Sequence, residues 1–223
     1  MACWSSENAT RAYLQALKMG KRGKEPDVAE FISALAAGNN AQLMVVACSS
    51  VAVSTTLALV AAAHQTGGRV VCILHGLDII HSSKNALGSY ANSIEFAVGD
   101  AQNLLVNEYR GADFVLIDCN SDVHKGIFRA AQESTKHGGG VIVGYNALHK
   151  GSWSEFNTQF LPIGNGLLVT KTTTFPKVGD GDGDGVVNKG RKRSRWVVTV
   201  DKCTGEEHVF RITSSHHQRV IRA

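Results

Sequence analysis

The sequence predicts an α/β fold built on a mostly parallel sheet. From residue 42 onward, short apolar runs alternate with helix-length segments, an order typical of βαβ units. One apolar run, 114–117, ends in Asp118 and is followed by a helix-length segment and a Gly-flanked run at 141–143. This pattern places Asp118 at the carboxyl edge of two neighbouring strands, where open α/β sheets bind their ligands.

The elements follow in a regular order. Two helices open the chain, the first capped by Ser5 or Ser6 and the second begun by Pro26 and ended at 38–40. The strand candidates are 43–47, 70–74, 94–98, 114–117 and 141–143, and the helices between them are 54–64, 79–91, 101–109 and 123–137. Residues 159–162 and 167–172 form a hairpin. The result is a Rossmann-like core with helices on both faces, closed by an antiparallel edge.

The domain organisation follows from a change in composition after residue 174. We expect one Rossmann-like domain with its N-terminal helices at 1–174, since 223 residues suit one well-buried domain and an appendage. A Gly/Asp-rich and then basic linker follows at 175–195, and a β-hairpin appendage at 196–223.

Composition indicates a protein of the cytoplasm or nucleus that is neither secreted nor embedded in a membrane. Hydrophobic residues make up 43%, and the mean hydropathy is −0.05. The N-terminus lacks a basic region followed by an apolar core, and no apolar run is long enough to span a bilayer. Five widely spaced cysteines are typical of reduced thiols.

The net charge of +4 is concentrated in the tail. Residues 1–174 carry 13 Lys/Arg and 13 Asp/Glu, whereas residues 175–223 carry 10 and 6. A neutral body argues against a nucleic-acid-binding core. The basic run 191–195, with Trp196 beside it, predicts contact with nucleic acid or another polyanion through the tail only, or nuclear import.

Three segments resemble a known family. Residues 112–122, 139–152 and 161–166 follow the fourth strand, the fifth strand with its edge loop, and the closing Leu-Pro-Val-Gly-Asp-Gly hairpin of class I S-adenosylmethionine-dependent methyltransferases, most closely the plant caffeoyl-CoA O-methyltransferases. More narrowly, the opening Trp-Ser-x-Glu-Asn-Ala-Thr and the run 66–72 are similar to a plant-specific set of uncharacterised Rossmann-like proteins. The resemblance implies S-adenosylmethionine as the cofactor.

The chain departs from this family at the positions that carry the chemistry. The family's acidic residue and glycine loop become residues 46–54, where Cys48 replaces a glycine and only Ser54 is retained. The acidic residue that binds the ribose becomes Leu74 or His75. The adenine-binding segment is better preserved, as Gly99, Asp100 and Ala101.

The family's divalent cation site is also incomplete. Asp118 and Asn146 match two of its ligands, but Tyr145 stands where the second aspartate is expected, or Ala147 replaces the asparagine if Asn146 is aligned with that aspartate. A phenol is a poor ligand for Mg²⁺ at neutral pH. We therefore expect no metal site.

Two functions remain open from the sequence. The first is a divergent methyltransferase acting on a small molecule of unknown identity, with Asp118 or His149 as the base and Cys48, Ser54, His75, Asp100, Ala101 and Asp118 as the cofactor-binding residues. The second is a non-catalytic Rossmann-like binding protein with degenerate cofactor and metal sites, which acts through a partner or an acidic ligand. The sequence does not determine the methyl acceptor or the oligomeric state.

Overall fold

The computed structural model describes residues 4–20, 28–48, 53–148, 153, 156, 158–172, 194–200 and 207–213. The helices are α1 (Ser6–Met19), α2 (Val28–Gly38), α3 (Val53–Thr66), α4 (Leu77–Leu87), α5 (Ala101–Asn107) and α6 (His124–Ser134). The strands are β1 (Leu43–Ala47), β2 (Arg69–Leu74), β3 (Ile94–Val98), β4 (Phe114–Asp118), β5 (Val141–Tyr145), β6 (Gln159–Leu161), β7 (Leu167–Lys171), β8 (Ser194–Val200) and β9 (Glu207–Thr213).

The first seven strands form one sheet in the order β3-β2-β1-β4-β5-β7-β6. Strands β1 to β5 run parallel, and β7 pairs antiparallel with both β5 and β6. The chain moves outward from β1 to β3 and then returns to place β4 on the other side of β1. This change of direction makes the carboxyl edge between β1 and β4 the topological switch point.

Helices cover both faces of the sheet because the central strands are apolar along their whole length. On one face, Ala12 of α1, Ile32 of α2 and Leu59 of α3 are fully buried against alternate strand residues. On the other face, Leu105 of α5 and Phe128 of α6 are equally buried. Strands enclosed on both sides read as continuous hydrophobic runs, which explains why the sequence pattern was clear.

The predicted fold class is confirmed: the sheet is mostly parallel, closes in an antiparallel hairpin and carries helices on both faces. Three helix predictions were too long. The segment 101–109 is helical only to Asn107, where α5 ends. The segment 79–91 is α4 followed by a 3₁₀ helix, Gly88–Ser93, because Gly88 has a φ of 59° and interrupts the α-helix. The segment 123–137 stops as an α-helix at Ser134, since Thr135 takes an extended conformation.

The chain divides into two compact units, residues 1–176 and 177–223. The second contains β8 and β9, which pair antiparallel from Ser194 opposite Thr213 to Val200 opposite Glu207. The linker and most of the basic run predicted before this hairpin lie outside the described residues. Among the described helices, none is both long and apolar enough to cross a bilayer.

Candidate functional site

The candidate site is the carboxyl edge of the parallel strands, and Asp118 lies at its centre. Asp118 ends β4 and is 4% exposed. Its Oδ1 accepts hydrogen bonds from the Asn120 backbone N–H and from Asn146 Nδ2, each at 3.0 Å. The Asp118 carboxylate therefore joins the loop after β4 to the loop after β5.

Asn146 extends this connection to the terminal hairpin. It follows β5 with a φ of 57°, a left-handed conformation that asparagine tolerates better than most side chains. Its Oδ1 lies 3.5 Å from Nδ2 of Asn165 in the β6–β7 turn. The backbone N–H groups of Ala147 and Leu148 donate to Gly166 and Asn165 at 3.0 and 2.8 Å. The polar residues at this edge are thus engaged with one another.

Tyr145 occupies the strand position beside Asp118. The two residues are register partners across β4 and β5, and Tyr145 is 6% exposed. Its hydroxyl makes no hydrogen bond of normal geometry to a described residue. The side chain of Thr55 on α3 is nevertheless close enough to lower the pKa of the phenol slightly. Burial, and then the nearby Asp118 carboxylate, raise the pKa of Tyr145, so the phenol stays neutral.

Two cysteines complete this buried part of the edge. The Sγ atoms of Cys48, after β1, and Cys72, on β2, lie 3.7 Å apart, and both side chains are buried. The hydrogen bond to Cys48, followed by burial, raises the pKa of the Cys72 thiol. Cys48, Cys72, Leu74 and Tyr145 belong to one hydrophobic cluster. The described side chains at the ends of β1, β2 and β5 are therefore buried in the core.

The residues just beyond β2 and at the end of β3 are different, because several of their side chains are exposed. His75 follows β2 and is exposed, as is Asp100 after β3. Leu77, the first residue of α4, is 68% exposed, and Val98, the last residue of β3, is 44% exposed. The Gly99 backbone N–H donates to the Leu74 carbonyl at 3.1 Å, which holds the two strand ends together. This half of the edge combines apolar and polar groups accessible to a ligand.

The remaining predicted site residues lie around the same edge. Ser54 is exposed in the first turn of α3. Asp100 caps α5, since its Oδ1 accepts from Gln102 N at 3.2 Å, and Ala101 is buried as the first residue of that helix. His149 lies outside the described residues. The fold thus brings the described candidates to one edge but separates buried Cys48 from exposed His75 and Asp100.

A hard divalent cation does not suit this donor set. Mg²⁺ requires several oxygen ligands with accessible lone pairs. Here Oδ1 of Asp118 already accepts two N–H groups, Asn146 turns its amide nitrogen towards that carboxylate, and Tyr145 is a neutral phenol. No group of three or more His, Cys, Asp or Glu side chains suited to a metal ion occurs among the described residues.

Comparison with known proteins assigns the chain to a family. The model of the family described as "Protein of unknown function (DUF1442)" matches residues 1–212. The chain belongs to this family. No curated protein matches the sequence.

Several solved structures similar to this DUF1442 member are methyltransferases. A methyltransferase from Geobacter sulfurreducens is 18% identical, with a TM-score of 0.53 over 75% of this chain and 90% of that one. A proposed caffeoyl-CoA O-methyltransferase from Staphylococcus aureus is also 18% identical, with a TM-score of 0.53 over 75% and 93%. The O-methyltransferase TomG from Streptomyces achromogenes, solved with SAM, is 16% identical, with a TM-score of 0.51 over 78% and 93%. At these identities the likeness establishes the methyltransferase fold.

Sequence reasoning missed Cys72 as a member of the site. Cys72 lies in the middle of an apolar run, where nothing distinguishes it from a core residue. The register of the sheet provides the missing signal. Val46 pairs with Cys72, and Cys48 follows Val46 by two residues, so Cys48 and Cys72 project from the same face of the sheet. The alternation of side chains along each strand could have indicated the contact between Cys48 and Cys72, but only once β1 was known to pair with β2.

Proposed function

We propose that this DUF1442 member is a methyltransferase-fold protein that binds S-adenosylmethionine or a related adenosine compound and has lost metal-dependent O-methyl transfer. The observation that carries this proposal is the division of the carboxyl edge. The side chains of Cys48, Cys72 and Tyr145, near the ends of β1, β2 and β5, are buried, whereas those of His75 and Asp100, which follow β2 and β3, are exposed.

The exposed half has the chemistry that an adenosine group needs. The side chains of Leu77 and Val98 offer apolar surface for the base. The Asp100 carboxylate is suited to accept from an exocyclic amine, and a His75 imidazole to bond a ribose hydroxyl. Ser54 is exposed in the first turn of α3, the helix that follows β1. The SAM bound to TomG supports this choice of ligand.

At the ends of β1 and β2, the described side chains that would face a methionine group are buried and are apolar or thiol groups. Val46 and Leu74 are 0% exposed, and Cys48 is 4% exposed. None of these side chains can pair with an ammonium or a carboxylate. We therefore infer that the adenosine part of the ligand contributes most of the binding free energy.

Calorimetric titration with S-adenosylmethionine, S-adenosylhomocysteine and adenosine tests the proposal. We expect adenosine to bind within about tenfold of S-adenosylmethionine, because the methionine group gains few contacts. His75→Ala and Asp100→Ser should each weaken binding, the serine being chosen because it can still cap α5. His81→Ala, an exposed histidine on α4, is the matched control. Absence of binding by all three compounds at millimolar concentration would refute the proposal.

A second candidate function is methyl transfer without a metal, to a small molecule of unknown identity. The buried Asp118 carboxylate at the sheet edge favours it, since transfer needs mainly positioning and a base, and His149 is the other candidate base. This function requires a complete cofactor site. It predicts that S-adenosylmethionine binds at least a hundredfold more tightly than adenosine and that binding is unchanged by EDTA.

Other expectations from the sequence stay predictions. They are a plant-specific distribution of the family, a cytoplasmic or nuclear location, and binding of nucleic acid or another polyanion by the basic tail. If the chain binds no adenosine compound, the tail becomes the first place to look for a partner.

A further inference from the structure

A cavity that is about half open to solvent lies at the opposite end of the sheet from the candidate cofactor site. It has a volume of about 470 Å³ and is bordered by Trp4, α2, the start of β5, and β6 with β7. Val141 lines it at the first position of β5, whereas Tyr145 ends that strand about 13 Å away at 3.3 Å per residue. The cavity is therefore separate from the carboxyl edge, and its volume is that of a small-molecule site.

Trp4 is held at the border of this cavity by several contacts. The Ser5 backbone N–H donates to the Gly38 carbonyl at 2.8 Å, and the Ser5 side chain accepts from Asn8 N to cap α1. The Trp4 ring lies directly on Gly38, because a Cβ built there would be 2.3 to 2.5 Å from three ring atoms. Yet Trp4 remains 55% exposed. A large aromatic ring is thus fixed in place and left accessible.

The other lining residues define the chemistry of a ligand. Leu35 of α2, Val141 and Val169 provide an apolar wall. Lys171, register partner of Val141 and therefore on the same face of the sheet, is exposed and makes no ion pair with a described residue. Asn39 and Gln159 contribute amides, and none of the nine lining residues is acidic. An apolar wall, an aromatic ring and one cation suit a planar apolar anion.

We propose that this cavity, the Trp4 cavity, binds a small planar aromatic carboxylate whose ring contacts Trp4 and whose carboxylate pairs with Lys171. The site is distinct from the proposed adenosine site and does not depend on it. Trp4 and Ser5 open the Trp-Ser-x-Glu-Asn-Ala-Thr motif. In this proposal Trp4 forms part of a ligand site, while Ser5 caps α1.

The test uses naphthoate as the probe, titrated into the full chain and followed by calorimetry and by ligand-observed NMR saturation transfer. We expect saturable binding that Trp4→Ala and Lys171→Met each weaken about tenfold, since each removes one of the two specific contacts. Lys18→Met is the control, because it removes an exposed charge at the far end of α1. Naphthylmethanol, the uncharged analogue, should bind at least tenfold more weakly.

Lys171→Met does not change the packing of α1, so its effect on the affinity for naphthoate tests the proposal even if Trp4→Ala impairs folding. No saturable binding of naphthoate at millimolar concentration, affinity unchanged in Lys171→Met, or equal affinity for naphthylmethanol would each overturn the proposal. S-adenosylhomocysteine should not compete with naphthoate, whichever way the adenosine titration turns out.

Discussion

At the scale of single residues, Tyr145 best distinguishes this chain from a metal-dependent methyltransferase. It is the register partner of Asp118, its ring is buried in the same cluster as Cys48 and Cys72, and its hydroxyl has no full hydrogen bond to a described residue. The ring therefore stabilises the fold by filling space in the core, and its hydroxyl adds little to that stability. An aspartate at this position would be compatible with the fold only if water or a cation could reach it.

Tyr145→Asp tests whether the position is filled. We expect it to lower the free energy of unfolding by about 3 kcal/mol at neutral pH in EDTA, because it buries a second carboxylate beside Asp118. Tyr145→Phe should change that free energy by less than about 1 kcal/mol. Urea denaturation measures both. A Tyr145→Asp variant as stable as the parent would show that this position is open to solvent, contrary to our description of the site.

At the scale of elements, the approach of β1 and β2 depends on a backbone contact at Gly68. A Cβ added to Gly68 would lie 2.7 Å from the carbonyl oxygens of both Ala41 and Gln42, and backbone atoms cannot move aside as a side chain can. The neighbouring Arg69 N–H donates to the Gln42 carbonyl at 2.8 Å and begins the pairing of the strands. A residue larger than glycine would separate β2 from β1 at its first hydrogen bond.

Gly68→Ala should therefore lower the free energy of unfolding by about 2 kcal/mol. Gly139→Ala is the matched control, because a Cβ there meets nothing within 4 Å, and it should have an effect of less than about 0.5 kcal/mol. Thermal denaturation of the two variants under the same conditions measures the difference. Equal stability of the two variants would contradict the close approach of β1 and β2 at this residue.

At the scale of the whole molecule, residues 1–176 form a compact unit with its own core on both faces of the sheet. The hairpin of β8 and β9 belongs to the other unit, residues 177–223. A lone two-stranded hairpin is marginal in water, whereas a seven-stranded sheet covered by helices is not. The larger unit should fold by itself.

We expect a chain that ends at Pro176 to retain the cooperative thermal unfolding and the circular dichroism of the sheet domain. Its affinities for adenosine and naphthoate should equal those of the full chain, since the residues proposed to contact both ligands lie before this point. A truncated chain that fails to unfold cooperatively would show that residues after Pro176 complete the fold.

The sequence alone determined the fold class, because strands buried on both faces leave continuous apolar runs and each parallel crossover leaves a helix-length gap. It also placed Asp118 at the carboxyl edge, since a strand that ends in a carboxylate indicates where the sheet ends. Only the tertiary structure decided which side chains at that edge are buried and that Trp4 borders a cavity at the opposite end of the sheet. Those facts depend on Cys48 meeting Cys72 across strands and on Trp4 meeting Gly38 across helices, contacts between residues far apart in the chain that no local pattern encodes.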